Sequence, residues 1–183
     1  VGPDAGIAIT TGTNNVLMGY TAGNDITTGS NNTLIGHGAG DGFDTEGQNV
    51  AVGSNALGGA SYAAEYNTAI GTNAGLVVTT GGVNVFVGSN CGDAHTTGVG
   101  CVGVGQEALG ANTTASYNSA LGYNALRTTT TGANNTGLGK DALYYNTTGY
   151  ENTAVGSNAM LANTDGYRST AVGYGALDAN TTA

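Results

Sequence analysis

An all-β, parallel β-solenoid (β-roll) of about eleven 17-residue coils is the fold class predicted for residues 1–183, and three periodic features predict it. Gly2, Gly19, Gly36, Gly53, Gly71, Gly88, Gly105, Gly122, Gly139, Gly156 and Gly173 recur at nine intervals of 17 residues and one of 18, the long one lying between Gly53 and Gly71. The residue before each glycine is aliphatic, from Val1 and Met18 to Val172, and the third residue after it is Ala except at Cys91. Asn stands four before the glycine in most copies: Asn15, Asn32, Asn49, Asn67, Asn84, Asn118, Asn135 and Asn152. A constant period near 20 residues marks stacked supersecondary units that bury a continuous core only together.

Each repeat divides into two halves. Asn-Thr-Ala-Val-Gly, as at Asn152–Gly156, reads as a short strand with period-2 sidedness. Thr and Val share one face, expected to fill a narrow core. Ala and Gly share the other, smooth enough for another backbone to approach and expected to be the face buried on oligomerisation. The second half carries Thr-Thr at constant phase, as at Thr10-Thr11, Thr96-Thr97 and Thr147-Thr148, usually followed by Gly. It reads as a second short strand ending in a turn, where glycine supplies positive φ. The Asn residues are expected to form a structural ladder from coil to coil. Eleven coils at about 4.8 Å each give a rod on the order of 50 Å long.

Composition supports a rod over a layered globule. Gly accounts for 34 of 183 residues, only 8% are charged and Trp is absent, so a conventional apolar core is out of reach. The net charge of −9 arises from 12 acids against Arg127, Lys140 and Arg168. Without a basic patch, nucleic acid is a poor partner. No apolar run is long enough to span a membrane, so no membrane insertion is expected. The chain starts without Met inside one repeat and stops inside another, as expected of a single repeat domain (1–183) cut from a longer protein.

Copies such as Asn152-Thr153-Ala154-Val155-Gly156-Ser157-Asn158-Ala159-Met160 and Asn118-Ser119-Ala120-Leu121-Gly122-Tyr123-Asn124-Ala125-Leu126 resemble the Asn-Thr-Ala-Val-Gly-x-x-Ala-Leu repeats of bacteriophage tail-fibre proteins. They are also similar to the head repeats of trimeric autotransporter adhesins of the YadA type. The resemblance spans essentially the whole chain. It implies an elongated extracellular, cell-surface or virion fibre, often of three parallel chains, that displays a receptor-binding tip for host attachment. No tip, chaperone domain or anchor is recognisable here to separate a phage fibre from an adhesin. Two rival readings stand beside this one: a self-polymerising extracellular filament subunit, and a glycan-binding module.

Individual positions carry weaker signals. Cys91 and Cys101 are the only cysteines and fall in one coil, where a disulfide would stabilise by about 3 kcal/mol; two small buried thiols are the competing reading. Asp41, Asp44 and Glu46 crowd one loop below His37, a weak cation candidate against the simpler reading of a solvated acidic loop. Asn31, Asn112, Asn134, Asn146 and Asn180 each begin a glycosylation sequon. Tyr62 and Tyr66, in the 18-residue interval, are candidate glycan contacts, with a surface or interface stripe as the alternative. No nucleophile elbow, metalloprotease helix or phosphate loop occurs, so neither enzymatic activity nor a cofactor is expected.

Overall fold

The computed structural model describes residues 2–59 and 63–182, and among them every regular element is a three-residue strand. The ten strands are β1 (Val16–Met18), β2 (Thr33–Ile35), β3 (Val50–Val52), β4 (Thr68–Ile70), β5 (Val85–Val87), β6 (Val102–Val104), β7 (Ser119–Leu121), β8 (Thr136–Leu138), β9 (Thr153–Val155) and β10 (Thr170–Val172). They form one parallel sheet in chain order, each strand joined to the next by one turn of the coil. Pairing is one repeat out, as in Leu121↔Leu138, and stays in phase across the long interval, where Val52 pairs Ile70. The eleven glycines thus correspond to ten strands and nine full turns. After Gly2 the chain joins the stack through turn hydrogen bonds, such as Gly6 N–H to Ala22 O at 3.1 Å.

Glycine is required at every step of the stack. From Gly19 to Gly173 the repeat glycine holds φ between +130° and +142°, where side chains are strained. A Cβ on Gly122 would also lie 2.5 Å from the carbonyl oxygen of Gly139 in the next coil. At Gly173, which ends the run of strands, the nearest obstacle is Ala176 Cβ at 3.9 Å. The crowding therefore comes from stacking.

The sidedness of the strands is the reverse of the expectation. The middle residue faces inward: Leu34, Ala51, Ala69, Phe86, Ala120 and Ala154 are buried, while the Thr/Val positions on either side face outward. The Thr-Thr segments are not a second strand either. Thr147, Thr148 and Gly149 aim three successive N–H groups at the single carbonyl of Thr164, at 2.9, 3.0 and 3.2 Å. Convergent donors cannot coexist with the alternation of a strand. The Thr147 hydroxyl joins them at 3.1 Å, so this column stitches neighbouring coils.

Beside the strand, each coil holds room for one large side chain, supplied from either of two positions. Where the middle strand residue is large, the fourth residue after the repeat glycine is Gly: Leu17 with Gly23, Leu34 with Gly40, Phe86 with Gly92. Where it is small, that position is Leu or Met: Ala51 with Leu57, Gly103 with Leu109, Ala120 with Leu126, Gly137 with Leu143, Ala154 with Met160. A Cβ on Gly92 would come within 2.6 Å of the Phe86 ring. Ala69 with Gly75 is the one doubly small pair, and Leu57 and Phe86 of the flanking coils occupy its space. The fourth position is left-handed in either case, with φ +57° at Gly40 and +53° at Leu126. Holding Leu there costs about 1–2 kcal/mol. Burying it returns about 1.5–3 kcal/mol and removes a cavity, so packing prevails.

Two outcomes follow. Gly122→Ala should lower stability by at least about 2 kcal/mol more than Gly173→Ala in denaturant melts, because only the former meets a neighbouring backbone. Ala120→Leu and Leu126→Gly should each destabilise, by about 1–3 and about 2–5 kcal/mol, whereas the double variant should recover about 2 kcal/mol of their sum. Strict additivity would refute the shared-volume account.

Candidate functional site

The outward strand face is the most regular surface of the rod. Its two columns, before and after the buried middle residue, hold only Val, Ile, Leu, Met, Thr and Ser from β1 to β10, with no charge. Thr leads in five strands and Val in four, and the second column is aliphatic throughout. Leu121 is 50% exposed and Val172 70%, with Met18, Ile70 and Leu138 also open to solvent. Parallel sheets are usually covered on both faces, whereas this one leaves its outward face open to solvent.

Behind it runs the Asn column, with six of the eight predicted residues fully buried and Asn67 only 1% exposed. Each side chain bonds to backbone in the next coil and not to another amide. Asn135 Oδ1 accepts the Asn152 N–H at 3.0 Å, and its Nδ2 donates to Gly149 O at 2.8 Å. Asn15, Asn32, Asn49, Asn67, Asn84, Asn118 and Asn152 repeat the donation, and all but Asn84 and Asn152 repeat the acceptance toward another Asn. Asn84 accepts from Cys101 N–H and Asn152 from Ser169 N–H. These bonds satisfy backbone groups that a coil this narrow cannot pair within itself.

Cys101 occupies that column and keeps only the donor half of the pattern, its Sγ lying 3.3 Å from Ala115 O. Cys91 fills the Ala column beside Gly103. Both thiols are free, so the disulfide is not formed: the two residues serve different columns of the coil. Burial pushes the Cys91 thiol up to about 12 and raises that of Cys101, which keeps both un-ionised at neutral pH.

The acidic loop is built for its own backbone. Glu46, 3% exposed, accepts the N–H groups of Asp44 and Ala63 at 2.6 and 2.9 Å. Asp44 accepts the hydroxyl of Thr27. Asp41 is separate, its carboxyl raised by burial and by the nearby charge of Asp25. No group of three or more His, Cys, Asp or Glu among the described residues is placed to hold a metal ion. Among the sequons, Asn112 and Asn146 are core residues closed to modification in the folded state, while Asn31 and Asn134 are exposed. Tyr66 is exposed; Tyr62 lies outside the described residues.

One interior column escapes sequence reading altogether. The seventh position after the glycine is apolar at Ile26, Phe43 and Val78, then polar at His95, Asn112, Thr129, Asn146 and Asn163, all fully buried. His95 Nε2 donates to Gly98 O at 2.8 Å, the ring packs edge-on against Phe86, and Nδ1 has no partner among the described residues. The only advance signal was His and Asn recurring at the phase of Ile and Val. Comparison with protein-family models, curated proteins and solved structures returned no match.

Burial holds the His95 imidazole below its ordinary value, and the Gly98 hydrogen bond only opposes this. The unfolded chain takes up a proton near pH 6.5 that folded His95 resists, so stability is full above that pH and falls below it, down to the folded value. His95→Asn, copying Asn112 of the next coil, should remove this component. Denaturant melts at about pH 7.5 and about pH 5 should show the parent losing more than the variant, by up to about 1.4 kcal/mol per pH unit. Equal losses would contradict the assignment.

Proposed function

We propose that this chain is the shaft of an extracellular or virion-borne fibre, a tail fibre or surface adhesin, in which three parallel copies pack through their outward strand faces and carry a receptor-binding tip. The single observation behind this reading is the charge-free outward face described above, aliphatic along the whole of one column. The assembly surface is thus the Thr/Val face, not the Ala/Gly face, which forms the coil's own interior. Coil-to-coil hydrogen bonding along the Thr and Asn columns suits a load-bearing rod, because extension must break many bonds together. The tail-fibre and adhesin resemblance of the repeat supports the same assignment, with the partner being the chain itself and the location outside the cell.

Sedimentation at micromolar concentration is expected to give three times the 17.8 kDa chain mass. Leu121→Lys with Val155→Lys should yield monomers whose circular dichroism is unchanged, since both side chains point out of the coil. A monomeric parent protein would overturn the assembly.

A further inference from the structure

Charge is scarce on this rod, yet three acids and two bases gather along one side of its later coils: Asp93, Glu107, Asp141, Arg127 and Lys140. Asp93, Gly110, Arg127, Tyr144 and Leu161 stand at the same phase of successive repeats. That single column spans four coil steps, about 19 Å. Two shallow depressions lie along it. One, of about 300 Å³, is bordered by Asn90, Asp93, Glu107 and Arg127. The other, of about 170 Å³, is bordered by Asp141, Tyr144, Tyr145 and Leu161.

The two are joined by Arg127. Its Nε donates to Glu107, Nη1 lies 3.4 Å from the Tyr144 hydroxyl, and the guanidinium carbon sits 5.8 Å from the Tyr144 ring centre. Tyr144 in turn packs edge-on against Tyr145, ring centres 4.5 Å apart. Tyr145 is thereby braced while remaining 51% exposed. Hydrogen-bonding capacity is left over throughout. The guanidinium has further N–H groups, the Glu107 carboxylate has further lone pairs, and the buried Asn124 Oδ1, between Glu107 and Asp141 in its own column, has no partner among the described residues. Burial raises the Asp93 carboxyl, with Glu107 adding to the effect, so a hydroxyl donor would be welcome there.

We infer that this strip is a lateral binding groove for an uncharged oligosaccharide lying along the rod axis. Sugar hydroxyls donate to Asp93, Glu107 and Asp141, Arg127 donates to sugar oxygens, and the apolar face of one ring rests on Tyr145. A cation is disfavoured because Arg127 already occupies Glu107. An acidic glycan is disfavoured because the acids outnumber the bases. The inference goes beyond the shaft reading and does not depend on it. It also moves carbohydrate contact away from Tyr62 and Tyr66.

Saturation-transfer NMR on the whole chain, with maltohexaose, laminarihexaose, chitohexaose and cellohexaose as probes and polygalacturonate as the charged counter-probe, tests it. At least one neutral hexamer should bind. Tyr145→Ala and Arg127→Gln should each weaken that binding about fivefold or more. Tyr174→Ala, at an exposed tyrosine outside the groove, should leave it unchanged, with circular dichroism confirming that all three variants are folded. Silence from every neutral probe, binding of polygalacturonate alone, or equal binding by parent, Tyr145→Ala and Arg127→Gln would each overturn the groove.

Discussion

Everything in this rod depends on how closely one coil's backbone approaches the next at the repeat glycine. Gly88, Gly105 and Gly122 stack with carbonyl oxygens where a Cβ would otherwise sit. Closure at that corner lets the adjoining strand pair in register with its neighbour, as in Val87↔Val104. It also brings the Thr and Asn columns within hydrogen-bonding distance of the carbonyls they serve. A methyl group at the corner would open the stack there, and the ladders on either side would be lost with it.

With the coil spacing set, interior space becomes the limiting quantity. Seventeen residues enclose a narrow channel, and beside the strand it admits only one large side chain per turn. That side chain alternates between two positions, Leu34 over Gly40 in one coil and Leu126 over Ala120 in another. The left-handed backbone at the fourth position is inherited from the coil's curvature and persists whether Gly or Leu stands there. Conformational preference yields to volume at these sites, since burying the large side chain there returns more than the left-handed backbone costs.

The same narrowness makes the interior unusually polar. Side chains of the Asn column replace water for backbone groups that face inward, reaching into the next coil to do so, as Asn32 does to Asn49 N–H and Glu46 O. Such groups are costly alone and harmless in a stack, which makes the fold cooperative along its axis. The outward strand face is the complement: apolar, uncharged and unsupported by any further layer of the chain. Asn side chains within an otherwise apolar interior and an uncovered aliphatic column outside both follow from using one thin coil as a wall.

Period, strand position, parallel stacking and the structural role of the Asn column were legible in the sequence, because a repeat prints each local requirement ten times over. Gly at the tight corner and Asn before the strand are demands that each coil's backbone makes on the next, so every repeat shows them at the same phase. Which face of Thr-Ala-Val points inward was not legible, since period-2 alternation marks two faces without saying which is enclosed. The curl of the rest of the coil decides that, and it puts Ala51 and Ala154 inside and Val52 and Val155 outside. Nor could the sequence alone show that Cys91 and Cys101 serve different columns, that Glu46 caps its own loop, or that Asp93, Arg127 and Tyr144 share one strip of surface. Those relations are set by how each coil curls and how the coils stack, neither of which the order of residues along the chain displays.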